Sequence, residues 1–240
     1  MSSYDGYEDW KGWEERAFGS WSTADGAYFL AELRRAGIHS CAALRFYELG
    51  FGNGEFAGYA RSMGGEYFGS ELNDALLKRA KAFGLDVLEG GIEQARERCE
   101  GGSFDVVVAF DVLEHLDVPE IRSFLMHAGE LLRQGGIVLA RVPSGDSPFG
   151  RAIFHGDITH RTALGSSAVL QLASQTGFEV ADIGPPRLPM LGLGPVRAIR
   201  RGGVRLAQTI ITRFINLVFH DGRPRVITAN MVFVLRKPVE

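Results

Sequence analysis

The chain has 240 residues, of which 45% are hydrophobic and 23% charged, and its net charge is −3. These proportions are typical of one large globular domain, or of one domain with a small appendage, and they exclude a disordered or fibrous protein. The small negative charge gives no overall attraction to nucleic acid, although it leaves room for a local basic patch. The two cysteines lack metal-ligand spacing, and we expect free thiols in a reducing compartment. Because the sequence shows neither a signal peptide nor an apolar run of about 18 residues, we expect a cytoplasmic protein.

The first 40 residues are predicted to form a helical lid segment. Residues 1–23 are polar and aromatic and contain all three tryptophans. A helix is predicted from residue 23 because apolar residues recur at helical spacing, with Asp25 able to cap its start and Gly37 able to end it. The tryptophans either fix this helix to the core or line the pocket of an acceptor, and Trp21 is the best candidate for a lid residue.

Short apolar runs alternate with helical patterns from residue 41 onward. Each apolar run of five to eight residues is followed by an amphipathic stretch, and the run at 104–111 is apolar on both faces, as a buried parallel strand should be. This alternation predicts a doubly wound α/β domain, with a parallel sheet covered by helices on both faces. The predicted strands are 44–49, 65–72, 85–90, 104–111 and 136–143, and the predicted helices are 54–63, 73–84, 92–99 and 118–136.

The pattern becomes less regular after Pro143. Residues 144–162 read as a loop, and a helix at 166–177 and a strand at 178–184 follow. A last helix is predicted at 196–219 and a last strand at 228–238. We therefore assign residues 41–184 and 226–240 to one sheet domain, and residues 185–225 to a basic amphipathic insertion before the last strand.

A glycine-rich turn follows the first strand, in "FYELGFGNGEF", with glycines at positions 50, 52 and 54. The dinucleotide fingerprint requires glycine at 50, 52 and 55, but position 55 is Glu, which disfavours a nicotinamide-dependent dehydrogenase. The phosphate-loop motif requires a Gly-Lys pair that is absent, and Glu55 at a helix start would repel a phosphate. The spacing therefore favours a ligand that carries no phosphate.

Glu71 ends the second predicted strand, 17 positions after Gly54. A carboxylate at this place in a doubly wound sheet can accept hydrogen bonds from both hydroxyls of a ribose. The other interpretation is an exposed acid at a helix start. The glycine turn before it favours the ribose role.

The segment "FDVVVAFDVLEHLDVP" completes a set of motifs in which the sequence resembles the class I S-adenosylmethionine-dependent methyltransferases. The resemblance is greatest to the small-molecule enzymes with a V-L-E-H-L segment after the fourth strand. The matching segments are Glu48 to Gly54, Glu71, Asp105 to Leu116, 131–144 and 159–180, so that it extends over roughly residues 44–184 and the last strand.

The resemblance implies a seven-stranded Rossmann-like sheet with an antiparallel last strand, and S-adenosylmethionine as cofactor. It also implies a floor under the methionine part of the cofactor and a ribose contact at Glu71. One departure is that Gly91 and Ile92 stand where the family often has an acid beside a small apolar residue; Ile92 can still pack on adenine. The residues that the resemblance places at the cofactor are Glu48, Gly50, Gly52, Gly54, Glu71, Ile92, Phe110 and Asp111.

Three residues are candidates for acid–base chemistry: His115, Asp157 and His160. An oxygen nucleophile benefits from a base near neutral pH, whereas an unprotonated amine or a thiolate needs less help. His115 follows the fourth strand, where the resemblance explains it as a wall residue. Asp157 and His160 lie beyond the fifth strand and could form an oriented pair, or His160 could only fasten its loop. No metal site is predicted.

The insertion combines basic and apolar residues. Between Gly194 and Arg225 it has seven arginines and one acid, Asp221. Three interpretations remain open: a helix packed on the domain with a solvated basic face, a lid or surface that meets an anionic or lipid-linked acceptor with peripheral membrane contact, and a homodimer interface.

The sequence thus predicts methyl transfer to a small molecule, with the hydroxyl of a saccharide or of a lipid-linked saccharide as the favoured acceptor. A quinone-like or secondary metabolite is an alternative acceptor. A binding module without catalysis is an alternative of another class. A nucleic-acid methyltransferase is disfavoured by the charge and by the absence of an Asn/Asp-Pro-Pro-aromatic motif after the fourth strand.

Overall fold

The computed structural model describes residues 12, 17–188 and 194–239, so that Trp10 and Trp13 lie outside the described residues. One seven-stranded sheet has the order β3-β2-β1-β4-β5-β7-β6. β7 is antiparallel to both of its neighbours and the other pairs are parallel, as the family resemblance implied. The strands are β1 (Arg45–Leu49), β2 (Glu66–Glu71), β3 (Asp86–Glu89), β4 (Phe104–Phe110), β5 (Leu132–Pro143), β6 (Glu179–Gly184) and β7 (Asn230–Arg236).

Helices cover both faces of this sheet. α1, α2 and α3 pack on one face, and α4, α5 and α7 pack on the other. The middle strand, β4, is buried between these layers, with residues 106–109 fully inaccessible to solvent. The helices are α1 (Thr23–Arg35), α2 (Glu55–Ser62), α3 (Asp74–Ala82), α4 (Ile92–Arg98), α5 (Val118–Leu131), α6 (Gly150–Phe154), α7 (Ser166–Thr176) and α8 (Pro195–Phe219), with a 3₁₀ turn at Leu113–His115.

Two helix ends differ from the sequence prediction. α1 is capped by Ser22, and Asp25 completes a capping box from the third helical position instead of forming the cap itself. α5 ends at Leu131, because the backbone becomes extended at Leu132 and continues directly into β5. The prediction of helix to residue 136 was therefore wrong. Asn73 caps α3 as predicted.

α8 lies on the molecule in an unusual orientation. Its buried or half-buried residues share one side and are mostly polar or small, with one larger apolar residue, Ile215; they are Ala198, Arg201, Gly202, Thr212, Ile215 and Asn216. The apolar residues on the other sides face solvent, so the interpretation that an apolar stripe packs on the sheet domain is wrong. Within the described part of the chain, no helix is long and apolar enough to cross a membrane.

A buried carboxyl group lies in the middle of the sheet. Glu48 on β1 is 4% exposed. The hydroxyl of Tyr67 on β2 donates a hydrogen bond to Glu48 Oε2 at 2.6 Å. Burial raises the pKa of Glu48 to about 8, and the nearby Glu71 and Glu55 add to this effect. The folded protein therefore holds a proton on Glu48 at neutral pH.

Because the folded chain holds this proton more tightly than the unfolded chain does, the free energy of unfolding falls as pH rises. Between the ordinary value of about 4.5 and the folded-state pKa of about 8, the unfolded chain releases a proton that the folded chain keeps. We expect E48Q, which lacks this titration, to gain about 2–4 kcal/mol of unfolding free energy relative to the native chain between pH 5 and pH 8. Urea unfolding at both pH values measures the difference. The matched control E66Q alters an exposed carboxylate, and its free energy of unfolding should change with pH as that of the native chain does. If the unfolding free energies of E48Q and E66Q changed equally with pH, Glu48 would not be the group that holds the proton.

Candidate active site

A cleft of about 550 Å³ opens at the carboxyl ends of β1, β2 and β4. The strand order reverses between β1 and β4, which is where doubly wound sheets bind their ligands. The volume suits a small organic ligand. Seven of the eight predicted cofactor residues line the cleft: Glu48, Gly50, Gly52, Glu71, Ile92, Phe110 and Asp111.

The eighth predicted residue, Gly54, lies behind the cleft. All three glycines of the turn have positive φ, at 66°, 52° and 73°. A Cβ on Gly50 would lie 2.7 Å from Val112, so a side chain there would collide with the turn after β4. A Cβ on Gly54 would lie 2.6 Å from the ring of Phe18. The last glycine therefore makes room for the N-terminal segment, and is not among the residues lining the cleft.

Asn53 is a cleft residue that the sequence analysis missed. It is 3% exposed and lies between two of the glycines. Neither its amide nitrogen nor its amide oxygen has a hydrogen-bond partner among the residues that the structure describes. Because buried amides are nearly always satisfied, this group is suited to a polar ligand. Only its place within the glycine turn could have indicated it.

Glu71 is fixed by the backbone around it. The N–H of Gly52 donates to Oε2 at 3.1 Å, and the N–H groups of Leu72 and Asn73 donate to Oε1 at 2.8 and 3.2 Å. Burial raises the pKa of Glu71, and these three donors partly offset the rise. The carboxylate thus connects the glycine turn to the end of β2. Ile92, buried at the start of α4, forms the apolar wall of the cleft next to it.

An ion pair borders the cleft at the end of β4. Asp111 is a non-glycine residue with φ of 55°, a conformation that costs energy and is typical of functional sites. Its carboxylate accepts two hydrogen bonds from the guanidinium of Arg141 on β5, one of them at 2.9 Å from Nε. Arg141 lies 5.3 Å from the ring centre of Tyr28 and 5.4 Å from that of Phe110. The sequence analysis did not identify Arg141, although a charged residue within a buried strand was a signal.

His115 is the predicted acid–base residue that lines the cleft. Its Nδ1 lies 2.9 Å from Thr159 Oγ1, and that hydroxyl lies 2.5 Å from Asp157 Oδ1. A carboxylate can only accept, so the hydroxyl donates to Asp157 and accepts from the Nδ1–H of His115. This chain leaves Nε2 of the neutral imidazole as the nitrogen that can take up a proton.

Asp157 and His160 are close to His115 but do not line the cleft. The rings of His115 and His160 are 4.7 Å apart, and His160 donates from Nδ1 to the carbonyl of Phe154 at 2.9 Å. The carboxylate of Glu114 and the two imidazoles lie within 4.8 Å of one another, a donor set that could hold a divalent cation. The structure thus brings all three predicted acid–base residues together, and of the three it is His115 that lines the cleft.

The N-terminal helix forms one wall of the cleft through Asp25, Tyr28 and Phe29. Trp21, the predicted lid residue, instead packs against Tyr59, with 5.4 Å between ring centres, and does not line the cleft. The backbone of Gly19 donates to the carbonyl of Asn53 at 2.8 Å. The segment before α1 is therefore attached to the back of the glycine turn.

Comparison with known proteins supplies the chemistry. Residues 47–140, which run from within β1 through the glycine turn and β2 to β4 into β5, match the family model of the methyltransferase domain. No curated protein sequence matches the chain significantly.

The fold is shared with solved methyltransferases at low sequence identity. A chain from the complex between the Haloferax volcanii Trm112 methyltransferase activator and a protein titled "putative methyltransferase" has a TM-score of 0.66 and 16% identity, with 100% of this chain and 99% of that chain covered. A SAM-dependent methyltransferase of Archaeoglobus fulgidus has a TM-score of 0.63 and 16% identity, with 88% of this chain and 94% of that chain covered. An S-adenosylmethionine-dependent methyltransferase of Mesorhizobium loti has a TM-score of 0.58 and 17% identity, with 89% of this chain and 100% of that chain covered.

These structures support the fold, and the family model adds the activity to the segment that builds the cleft. Residues 47–140 thus match the methyltransferase domain, and the fold of the whole chain is that of solved S-adenosylmethionine-dependent methyltransferases.

Proposed function

We propose that the chain transfers a methyl group to a hydroxyl of a small-molecule acceptor, with His115 as the base, and that the acceptor is a saccharide or a lipid-linked saccharide. The observation that carries the proposal is the oriented chain from His115 through Thr159 to Asp157 at the wall of the cleft. An amine acceptor needs no such base, whereas a hydroxyl is activated by one.

The cleft residues fit S-adenosylmethionine. Glu71 presents a carboxylate suited to ribose hydroxyls, Asn53 presents an unsatisfied amide, and Ile92 presents an apolar surface for a base. Asp111, held by Arg141, presents negative charge where the methionine ammonium would lie. When bound, the cofactor supplies a methyl group that its sulfonium has already activated.

The protein's remaining task is to position the acceptor and remove its proton. Holding the acceptor oxygen in line with the methyl group is worth several orders of magnitude in rate. Nε2 of His115 takes the hydroxyl proton, and Asp157, acting through Thr159, stabilises the imidazolium that results. Asp157 is thus a positioning residue in this proposal.

Two features support the acceptor class. Tyr28 and Phe110, with ring centres 6.3 Å apart, provide aromatic surface on the cleft wall for the apolar face of a sugar ring. The exposed apolar residues of α8 belong to an insertion at the same edge of the sheet as the cleft, which suits an acceptor on a lipid. A panel of sugars, glycolipids and quinols, assayed with methyl-labelled cofactor, tests the class, and methylation of the quinols alone would contradict it.

The cofactor contact at Glu71 is tested by E71Q. We expect the variant to bind S-adenosylhomocysteine about 10–100-fold more weakly in calorimetry, because charge-assisted hydrogen bonds to the ribose are lost. Affinity of the native chain should also fall toward acidic pH, sooner than for an ordinary glutamate, because the pKa of Glu71 is raised.

The matched control is E89Q. Glu89 is exposed and lies opposite Glu71 in the β2–β3 register, outside the cleft lining. It should bind the ligand like the native chain. Equal affinity of E71Q and E89Q would reject the ribose role, and no binding by the native chain would reject the cofactor assignment.

The base is tested by H115A. With an acceptor from the panel, we expect kcat to fall about 10²–10⁴-fold, with S-adenosylhomocysteine affinity nearly unchanged. The native rate should decline toward acidic pH, because a protonated imidazole cannot accept a proton, and H115A should lack this decline. D157N should show a smaller loss of rate and an altered pH profile, since Asp157 acts through His115.

Two comparisons make this test specific. H127A changes a helix histidine outside the cleft lining and should retain full activity. H160A should lose less activity than H115A, and the reverse order would move the base to His160. Loss of native activity on addition of EDTA would instead favour a cation held by Glu114, His115 and His160. A chain that binds cofactor but methylates no acceptor would support the non-catalytic module.

A further inference from the structure

α8 presents an apolar surface to solvent, which we call the apolar stripe. Leu206, Ile210, Phe214 and Leu217 follow one another at three- and four-residue spacing and share one face of the helix. They are 58–70% exposed, and further apolar residues widen the stripe on both sides. The residues of the stripe are Val196, Ile199, Val204, Leu206, Ile210, Ile211, Phe214, Leu217 and Val218.

The side of α8 opposite the stripe attaches it to the molecule. Asn216 is 9% exposed, and its side-chain amide donates to the carbonyl of Arg225 at 3.3 Å. Arg225 in turn donates to the hydroxyl of Ser166 at the start of α7, at 3.1 Å. Apart from Ile215 and Ala198, the inward face is polar or glycine, and most of the large apolar residues face outward. This is the reverse of the arrangement that stabilises a surface helix in water. The stripe is therefore suited to a partner outside the chain.

The charge of α8 indicates the chemistry of that partner. Residues 194–220 contain five arginines and no aspartate or glutamate. Among the residues that the structure describes, no carboxylate forms an ion pair with Arg200, Arg205 or Arg213. An apolar face with arginines beside it and no acids fits a surface that is both apolar and anionic. A second copy of the helix fits less well, since it would bring arginines against arginines.

The position of α8 in the fold is consistent with such a surface. β6 is parallel to β5, because β7 is antiparallel to both. The chain therefore leaves β6 after Gly184, and returns to β7 at Asn230, at the edge of the sheet where β1, β2 and β4 also end. The insertion and the cleft open at the same edge of the sheet.

We propose that α8 is a docking helix for the surface of anionic phospholipid bilayers. The apolar stripe enters the boundary between headgroups and acyl chains, and the arginines beside it contact the lipid phosphates. The helix lies in the membrane plane, in keeping with the absence of any described helix able to cross a membrane. The proposal does not depend on the acceptor or on the base, and its test needs neither.

Cosedimentation of the full chain with vesicles tests the proposal. The native chain should bind vesicles that mix phosphatidylglycerol with phosphatidylcholine, bind phosphatidylcholine vesicles at least tenfold more weakly, and release the anionic vesicles as salt rises. The double variant I210S/F214S should lose at least tenfold in affinity. The double variant R200Q/R213Q, which changes two exposed arginines that flank the stripe, should lose more than tenfold on anionic vesicles, about fivefold for each arginine.

Matched controls separate docking from a general change of surface. L170S removes an apolar residue that is 53% exposed on α7, and R34Q removes an exposed arginine on α1; both should bind vesicles like the native chain. Unchanged circular dichroism and S-adenosylhomocysteine affinity show that each variant is folded. Equal binding to both kinds of vesicle would overturn the proposal, as would native affinity in I210S/F214S. A third result would also overturn it: the native chain does not bind vesicles but forms a dimer in light scattering, and I210S/F214S abolishes that dimer.

Discussion

The cleft depends on the close approach of two turns, one after β1 and one after β4. Gly50 lies so near Val112 that a Cβ would be 2.7 Å from the valine side chain. The N–H of Gly50 also donates to the carbonyl of Ser70 on β2 at 2.8 Å. The end of β1 is thereby fixed to both of its neighbours. Asp111, which has a strained backbone, directly precedes Val112 in the turn after β4. The backbone conformations of the two turns therefore determine the shape of the cleft floor.

The electrostatics of the cleft follow from that geometry. Several acids are crowded near the end of β1, and burial raises the pKa of both Glu48 and Glu71. Glu48 responds by keeping its proton, with Tyr67 donating to it, whereas three backbone N–H groups support the charge of Glu71. At Glu71 the rise in pKa is thus partly offset, because the three donors favour the charged form of the carboxyl group. A cleft with negative charge at Glu71 and Asp111 suits a ligand that carries a sulfonium and an ammonium group.

The sequence predicted the parts of this structure that depend on local pattern. The alternation of strands and helices agrees with the structure, as does the antiparallel β7 that the family resemblance implied. Seven of the eight residues that the resemblance placed at the cofactor line the cleft, and their contacts with the cofactor stay a prediction. The errors concern side-chain direction and tertiary contacts. Gly54 has the left-handed backbone that its motif requires, but its missing side chain makes room for Phe18, about 36 residues earlier in the chain. Asn53 and Arg141 belong to the cleft because of contacts between distant strand ends, which periodicity does not show.

The orientation of α8 is another feature that the sequence pattern did not predict. Its sequence gives an apolar stripe and a basic side, and the ordinary expectation buries the stripe. Only the fold shows that Asn216 is turned inward, where its side-chain amide donates to the carbonyl of Arg225 in the segment after the helix. Exposing the stripe costs free energy in water, about 25 cal/mol for each Å² left uncovered. A surface that covers the stripe recovers that energy, and one that is also anionic gains from the arginines. Because the insertion and the cleft share one edge of the sheet, such a surface would bring its own lipids close to the methyl donor.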